Sequence, residues 1–91
     1  LHVLRQAVLR EYSTYSKLAE QSHLYTTRLL PDAQANSNAS LKAYQSGVVE
    51  FTTLARARIT QLDIQLEALR IKTEQAKAQA RILYLMTKEQ A

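Results

Sequence analysis

The sequence predicts an all-α protein, a long antiparallel coiled-coil helical hairpin, and three observations carry that prediction. Alanine, leucine, glutamine, arginine, lysine and glutamate dominate the composition, which is that of long helices. Gly47 is the only glycine, with 46 residues before it and 44 after. Glycine reverses a chain at little steric cost because it takes positive φ without a Cβ. On both sides of it the apolar residues recur at helical spacing. Two helical runs of near-equal length about one glycine are the pattern of an αα-hairpin.

The first arm spans about 1–44. Leu4, Val8, Tyr15, Leu18, Tyr25 and Leu29 fall on one 4-3 spaced line, interrupted by Glu11 and Ser22 and widened by Tyr12. Its tyrosines suit half-wet surroundings. Pro31 follows Leu29 and Leu30, and proline removes a helical hydrogen bond and restricts the residue before it. Two outcomes are open: the helix kinks and continues, or it stops and restarts with Pro31 in a new first turn and Asp32 beside it. Residues 33–40 are small and polar, with modest helix propensity. They are expected to be helical through tertiary contact.

The tip is expected at about 45–49. The second arm, about 50–88, carries two apolar lines. Ala55, Ile59, Leu62, Leu66, Leu69, Thr73, Ala76, Ala80, Leu83 and Thr87 keep a strict 4-3 spacing and define heptad positions a and d. Leu54, Ala57, Gln61, Ile64, Ala68, Ile71, Gln75, Ala78, Ile82 and Leu85 keep the same rhythm at c and f. The two lines lie nearly opposite on the helix, with charge between them. A helix apolar on two opposed faces has a neighbour on each side, as in a wall, ring or barrel of helices. The a/d line is expected to face the first arm, with Leu62 near residue 32 and Leu69 near residue 25. The c/f line is then left open for self-association.

Composition also excludes. There is no cysteine, so there is no disulfide framework and no thiol chemistry. No apolar run approaches the roughly 18 residues that span a bilayer. The first residue, Leu1, with Arg5 and Arg10 close behind, is expected to belong to an excised or processed fragment rather than to a secretory signal. The net charge of +4 is spread along both arms, whereas a nucleic-acid-binding protein concentrates its cations in one stripe. No nucleic-acid partner is expected.

Motifs for chemistry are sparse. Glu20-x-x-His23 has the spacing of a di-iron bundle half-motif, but that site needs a second copy and two further glutamates. No nucleophile–base set, phosphate loop or paired-histidine motif is present. The expectation is no catalytic residue, no cofactor and no metal site. Arg5-x-x-x-Leu9 followed by Ser16 matches a pattern found at adaptor hairpin tips, but here it lies far from the only turn and is read as coincidence.

Tyr44-x-x-Gly47-x-x-x-Phe51-x-x-Leu54-x-x-Ala57, followed by a long Ala/Leu/Gln/Arg helix closing on Leu83-Tyr84-Leu85, resembles the C-terminal repeat of TolC-type outer membrane efflux proteins. Leu24-Tyr25, then Arg28-Leu29-Leu30-Pro31-x-Ala33, is similar to the heavy-metal resistance-nodulation-division branch of that family. The resemblance covers essentially the whole chain. It implies a periplasmic hairpin of an outer membrane channel, assembled side by side into an α-barrel within a homotrimer. Its tip, at Tyr44, Ser46, Gly47, Val48 and Val49, would dock the periplasmic adaptor protein, which links the channel indirectly to an inner-membrane pump. Thr53 and Arg56 become candidate pore-lining residues. The chain departs from the family in two places. Arg56 stands where an acid often follows the tip, and Val49 stands where some members carry a base. Neither an acidic pore ring nor the usual tip lock therefore carries over. The alternative expectation is a coiled-coil scaffold or adaptor-type hairpin without a transport role.

Overall fold

The computed structural model describes residues 2–90, and side chains as far as residue 88. Helix α1 (His2–Leu24) runs into a five-residue π-helical segment (Tyr25–Leu29), which continues as α2 (Leu30–Gln45). After a turn over residues 46–50, α3 (Phe51–Gln90) follows. There is no strand among the described residues. The predicted fold class holds: two long helical arms pack against each other as an all-α hairpin. Residues 33–40 are helical, as expected from tertiary contact.

Packing falls into two units. The tip unit comprises His23–Leu69. It buries Ala33 and Ser37 of α2 with Leu54, Ala57 and Ala68 of α3, and half-buries Tyr25, Leu29, Leu30, Leu41 and Ile64 around them. The terminal unit comprises Leu1–Ser22 and Arg70–Ala91. Its centre is Ile71, 1% exposed, and Ala78, 0% exposed. Leu4, Val8, Tyr15 and Leu18 of α1 and Ile82 and Leu85 of α3 are half-buried there.

These burials reverse the expected assignment of the two lines on α3. Leu54, Ala57, Ala68, Ile71 and Ala78, all on the c/f line, are the buried ones. Ile59, Leu62, Leu66, Leu69 and Leu83, on the a/d line, are all more than half exposed. Leu62 and Leu69 therefore do not face the first arm, and the c/f line is not available for self-association. Volume accounts for the choice. The first arm presents bulky Tyr15, Leu18, Tyr25 and Leu29, and large residues pack best against an alternation of small and large partners. The c/f line supplies that alternation, with alanines set between Leu54, Ile64, Ile71 and Ile82. The a/d line from Ile59 to Leu69 is uniformly large and would overfill the gap.

The π segment settles Pro31 between the two expected outcomes. The chain does not leave the helix, and it resumes α geometry as α2 with Pro31 and Asp32 in the first turn. It takes one extra residue into a single wide turn, in which the Leu30 N–H donates to the Tyr25 carbonyl, five residues back. Proline in an α-helix clashes with the carbonyl four residues before it, and widening the preceding turn relieves that clash. A second effect concerns the inner face. The half-buried line runs through Leu18, Ser22, Tyr25 and Leu29. In unbroken α geometry it would continue to Asp32, Asn36 and Ala39. The buried and half-buried residues are instead Ala33, Ser37 and Ser40, one position later. Thus the extra residue keeps Asp32 and Asn36 in water and brings the smallest side chains inward. Ser37 is fully buried, and its hydroxyl has no hydrogen-bond partner.

If the inner face demands the π turn, Pro31→Ala alone should leave it in place, because closing it would turn Asp32 and Asn36 toward α3. Deleting Thr26 together with Pro31→Ala should give an uninterrupted α-helix in which Ala33 and Ser37 still point inward. Its thermal midpoint should stay within a few degrees of the parent, since a change of about 1 kcal/mol moves a domain of this size by roughly 4–8 °C. A crystal structure or backbone NMR shifts of both variants would decide between proline and face as the cause.

Candidate docking tip

The turn between α2 and α3 is built by backbone hydrogen bonds around Gly47. Gly47 has φ +75°, and no other residue with positive φ occurs among the described residues. The Gly47 N–H donates to the Tyr44 carbonyl at 3.0 Å, and the Val48 N–H to the Ala43 carbonyl at 2.8 Å. That pair of bonds is a Schellman motif, which satisfies the last carbonyls of α2 and turns the chain out of the helix. The Thr53 N–H then donates to the Glu50 carbonyl at 3.1 Å and opens α3. The helices end at Gln45 and begin at Phe51, so the turn sits about one residue later than the expected tip of 45–49.

Two aromatic rings clamp the turn. Tyr44 and Phe51 meet edge to face, with centroids 5.8 Å apart and planes at 68°, a geometry worth about 0.5–1.5 kcal/mol beyond burial. Both remain exposed, as do Ser46 and Gly47, and Val48 is 76% exposed. Val49 is half-buried. The structure thus gathers Tyr44, Ser46, Gly47, Val48 and Val49 into one turn. An ideal Cβ on Gly47 would meet nothing within 4 Å, so the glycine is required by its φ and not by crowding. Thr53 and Arg56 lie one turn apart on α3 and are both exposed.

The exposed ring of Phe51 also belongs to this surface, and its four-residue distance from Gly47 in the sequence is the signal for it. Glu11 interrupts the apolar line of α1, yet it accepts from Arg81 Nε at 3.0 Å in the terminal unit. Glu11 and Arg81 lie 36 residues before and 34 after Gly47, near-mirror positions in a hairpin. They border an open groove lined also by Ala7, Arg10, Thr14, Tyr84 and Leu85. The pair is partly exposed, and such pairs contribute about 0–1 kcal/mol.

Glu20 and His23 are both exposed. No group of three or more potential metal ligands forms among the described residues. Among the described residues no helix is long and apolar enough to cross a membrane. Comparison with known protein families, curated proteins and solved structures found no match.

Proposed function

We propose that this chain is a non-catalytic periplasmic hairpin of a TolC-type outer membrane efflux channel, contributing to the channel wall and docking an adaptor through its tip. The construction of the tip carries the reading. Every residue of the motif that suggested the family has a role there: Tyr44 and Phe51 clamp the turn, Gly47 supplies the positive φ, and Leu54 and Ala57 are buried behind it. The result is a hydrogen-bonded turn that presents small and apolar side chains outward, suited to end-on contact with another helical hairpin. The exposed a/d line on α3 supports the wall as well, since a wall helix needs a lateral neighbour on the face its own hairpin leaves open. In this reading the full-length protein is a homotrimer, its adaptor is the direct partner, and the pump is reached through the adaptor. Metal export follows only from the branch that residues 24–33 resemble.

Arg56 provides a direct test. Three copies near a pore entrance would raise the local potential and disfavour cations. In the full-length channel, Arg56→Asp should shift the single-channel reversal potential toward cation preference while the trimer still assembles. An unchanged reversal potential in a salt gradient would remove Arg56 from the pore.

A further inference from the structure

The open line on α3 is bounded at both ends. In the tip unit, Ile59, Leu62, Leu66 and Leu69 follow one 3-4 spaced line, and each is more than half exposed. The positions that continue it carry small or polar residues, Thr52 and Ala55 before it and Thr73 and Ala76 after it. The large apolar stretch is therefore about 15 Å long at 1.5 Å per residue. A line this narrow is a coiled-coil seam; a helix that lies on a lipid surface shows a broader apolar arc. The charges beside it are Arg56 and Asp63 at position e and Arg58 at position g, and all three are exposed.

We propose that the tip unit pairs with a second copy of itself, the two α3 helices parallel and in register, with Arg58 of each copy facing Asp63 of the other. The face is complementary to itself in two respects. An in-register copy matches every large layer, Ile59 on Ile59 and each leucine on its equivalent, whereas a slip of one heptad matches half of them. In a parallel pair g faces e of the following heptad, so Arg58 meets Asp63 on both sides of the two-fold axis. Arg56 falls beside Phe51 of the second copy, whose ring is 62% exposed and accepts a cation over its face. None of the three charges meets a like charge. Antiparallel pairing also fills the layers, with Ile59 against Leu69 and Leu62 against Leu66, but it sets Asp63 against Asp63. A seam this short falls well below a standard interface, so a difference of about 1 kcal/mol in the flanking pairs decides the direction. The pairing does not rest on the channel reading. Contact between equivalent faces about a two-fold axis cannot close a ring of three, so it belongs to the chain outside a closed channel.

Sedimentation of the chain up to about 1 mM, at about 50 mM salt, should show a reversible dimer of upper micromolar affinity. Leu66→Glu should abolish the dimer while circular dichroism shows unchanged helix content. Arg58→Asp and Asp63→Arg, each alone, should weaken it about tenfold, and the two together should restore it, because the double exchange recreates the pair with its signs reversed. The chain has no cysteine, so Leu69→Cys reports direction. In glutathione buffer it should give a disulfide-linked dimer, since parallel pairing sets the two copies of residue 69 side by side and antiparallel pairing leaves them out of reach. A monomer throughout would overturn the proposal, whether the face then takes a foreign amphipathic helix or a phosphatidylglycerol vesicle. A dimer indifferent to Leu66→Glu or to the single charge exchanges, a dimer without the Leu69→Cys link, or a Leu66-dependent trimer would overturn it as well.

Discussion

Ile71→Ala should destabilise the hairpin by about 2–5 kcal/mol, the range for truncating a fully buried isoleucine, whereas Leu69→Ala should cost less than about 0.5 kcal/mol, as surface changes do. The two residues are neighbours but one, and both are large and aliphatic. They differ in which line of α3 they occupy: Ile71 is 1% exposed and Leu69 is 62% exposed. Ala78→Leu belongs to the same test, since at 0% exposure three added carbons overpack the interior and cost about 1–3 kcal/mol. Urea titration followed by circular dichroism, at low protein concentration to suppress association, gives all three values. If Leu69→Ala were as costly as Ile71→Ala, the inner face would have been assigned to the wrong line.

The largest functional effect is expected at Gly47. On the proposed channel reading, Gly47→Val in the full-length protein should abolish export while leaving the protein in the membrane at normal abundance. A β-branched residue at φ +75° is strained, by roughly 1–2 kcal/mol for the left-handed conformation alone. The turn relieves this strain by leaving that conformation, which breaks the bonds from Gly47 and Val48 to the end of α2 and separates Tyr44 from Phe51. Gly47→Asn should keep export, because asparagine visits the left-handed region and the space around Gly47 is open. Transport and abundance measured together separate the outcomes. Export retained by the valine variant at normal abundance removes docking from the tip. Export lost in both variants at normal abundance means that the contact excludes any side chain.

The two arms, the turn and its glycine were legible in the sequence because each depends on local chemistry: periodicity for the helices, positive φ for Gly47. The inward face of α3 was not. Both lines keep the same 3-4 rhythm, and periodicity counts apolar positions without weighing their size. From Ile59 to Leu69 the a/d line is uniformly large and so looks like a core, but an interior facing tyrosines and leucines takes the line that alternates alanine with leucine or isoleucine. The π segment was hidden for a related reason. Pro31 marked the place, but the one-residue change of face becomes visible only when Ala33 and Ser37 are seen inside and Asp32 and Asn36 outside. At the tip, the residues singled out do come together, and Phe51 joins them. Thr53 and Arg56 are exposed as a lining would require, but a pore is a property of several hairpins.

Four of the buried residues of this hairpin are alanines, while Leu62, Leu66, Leu69 and Leu83 of α3 stand outside. Burying a leucine releases more free energy than burying an alanine, at about 25 cal/mol per Å² of apolar surface. Hydrophobic stabilisation is therefore latent on the outer line of α3, where Ile59, Leu62, Leu66 and Leu69 are all more than half exposed. Whatever covers that line would set the stability of the fold, through the linkage by which a partner bound only to the native state raises its population. The isolated chain should then open often enough for its backbone amides to exchange with solvent throughout. The same chain, covered along Ile59–Leu69, should become slow to exchange even at Ala57 and Ala68, on the opposite side of the helix. Folding and assembly would then be one equilibrium, with the order of the interior fixed from outside.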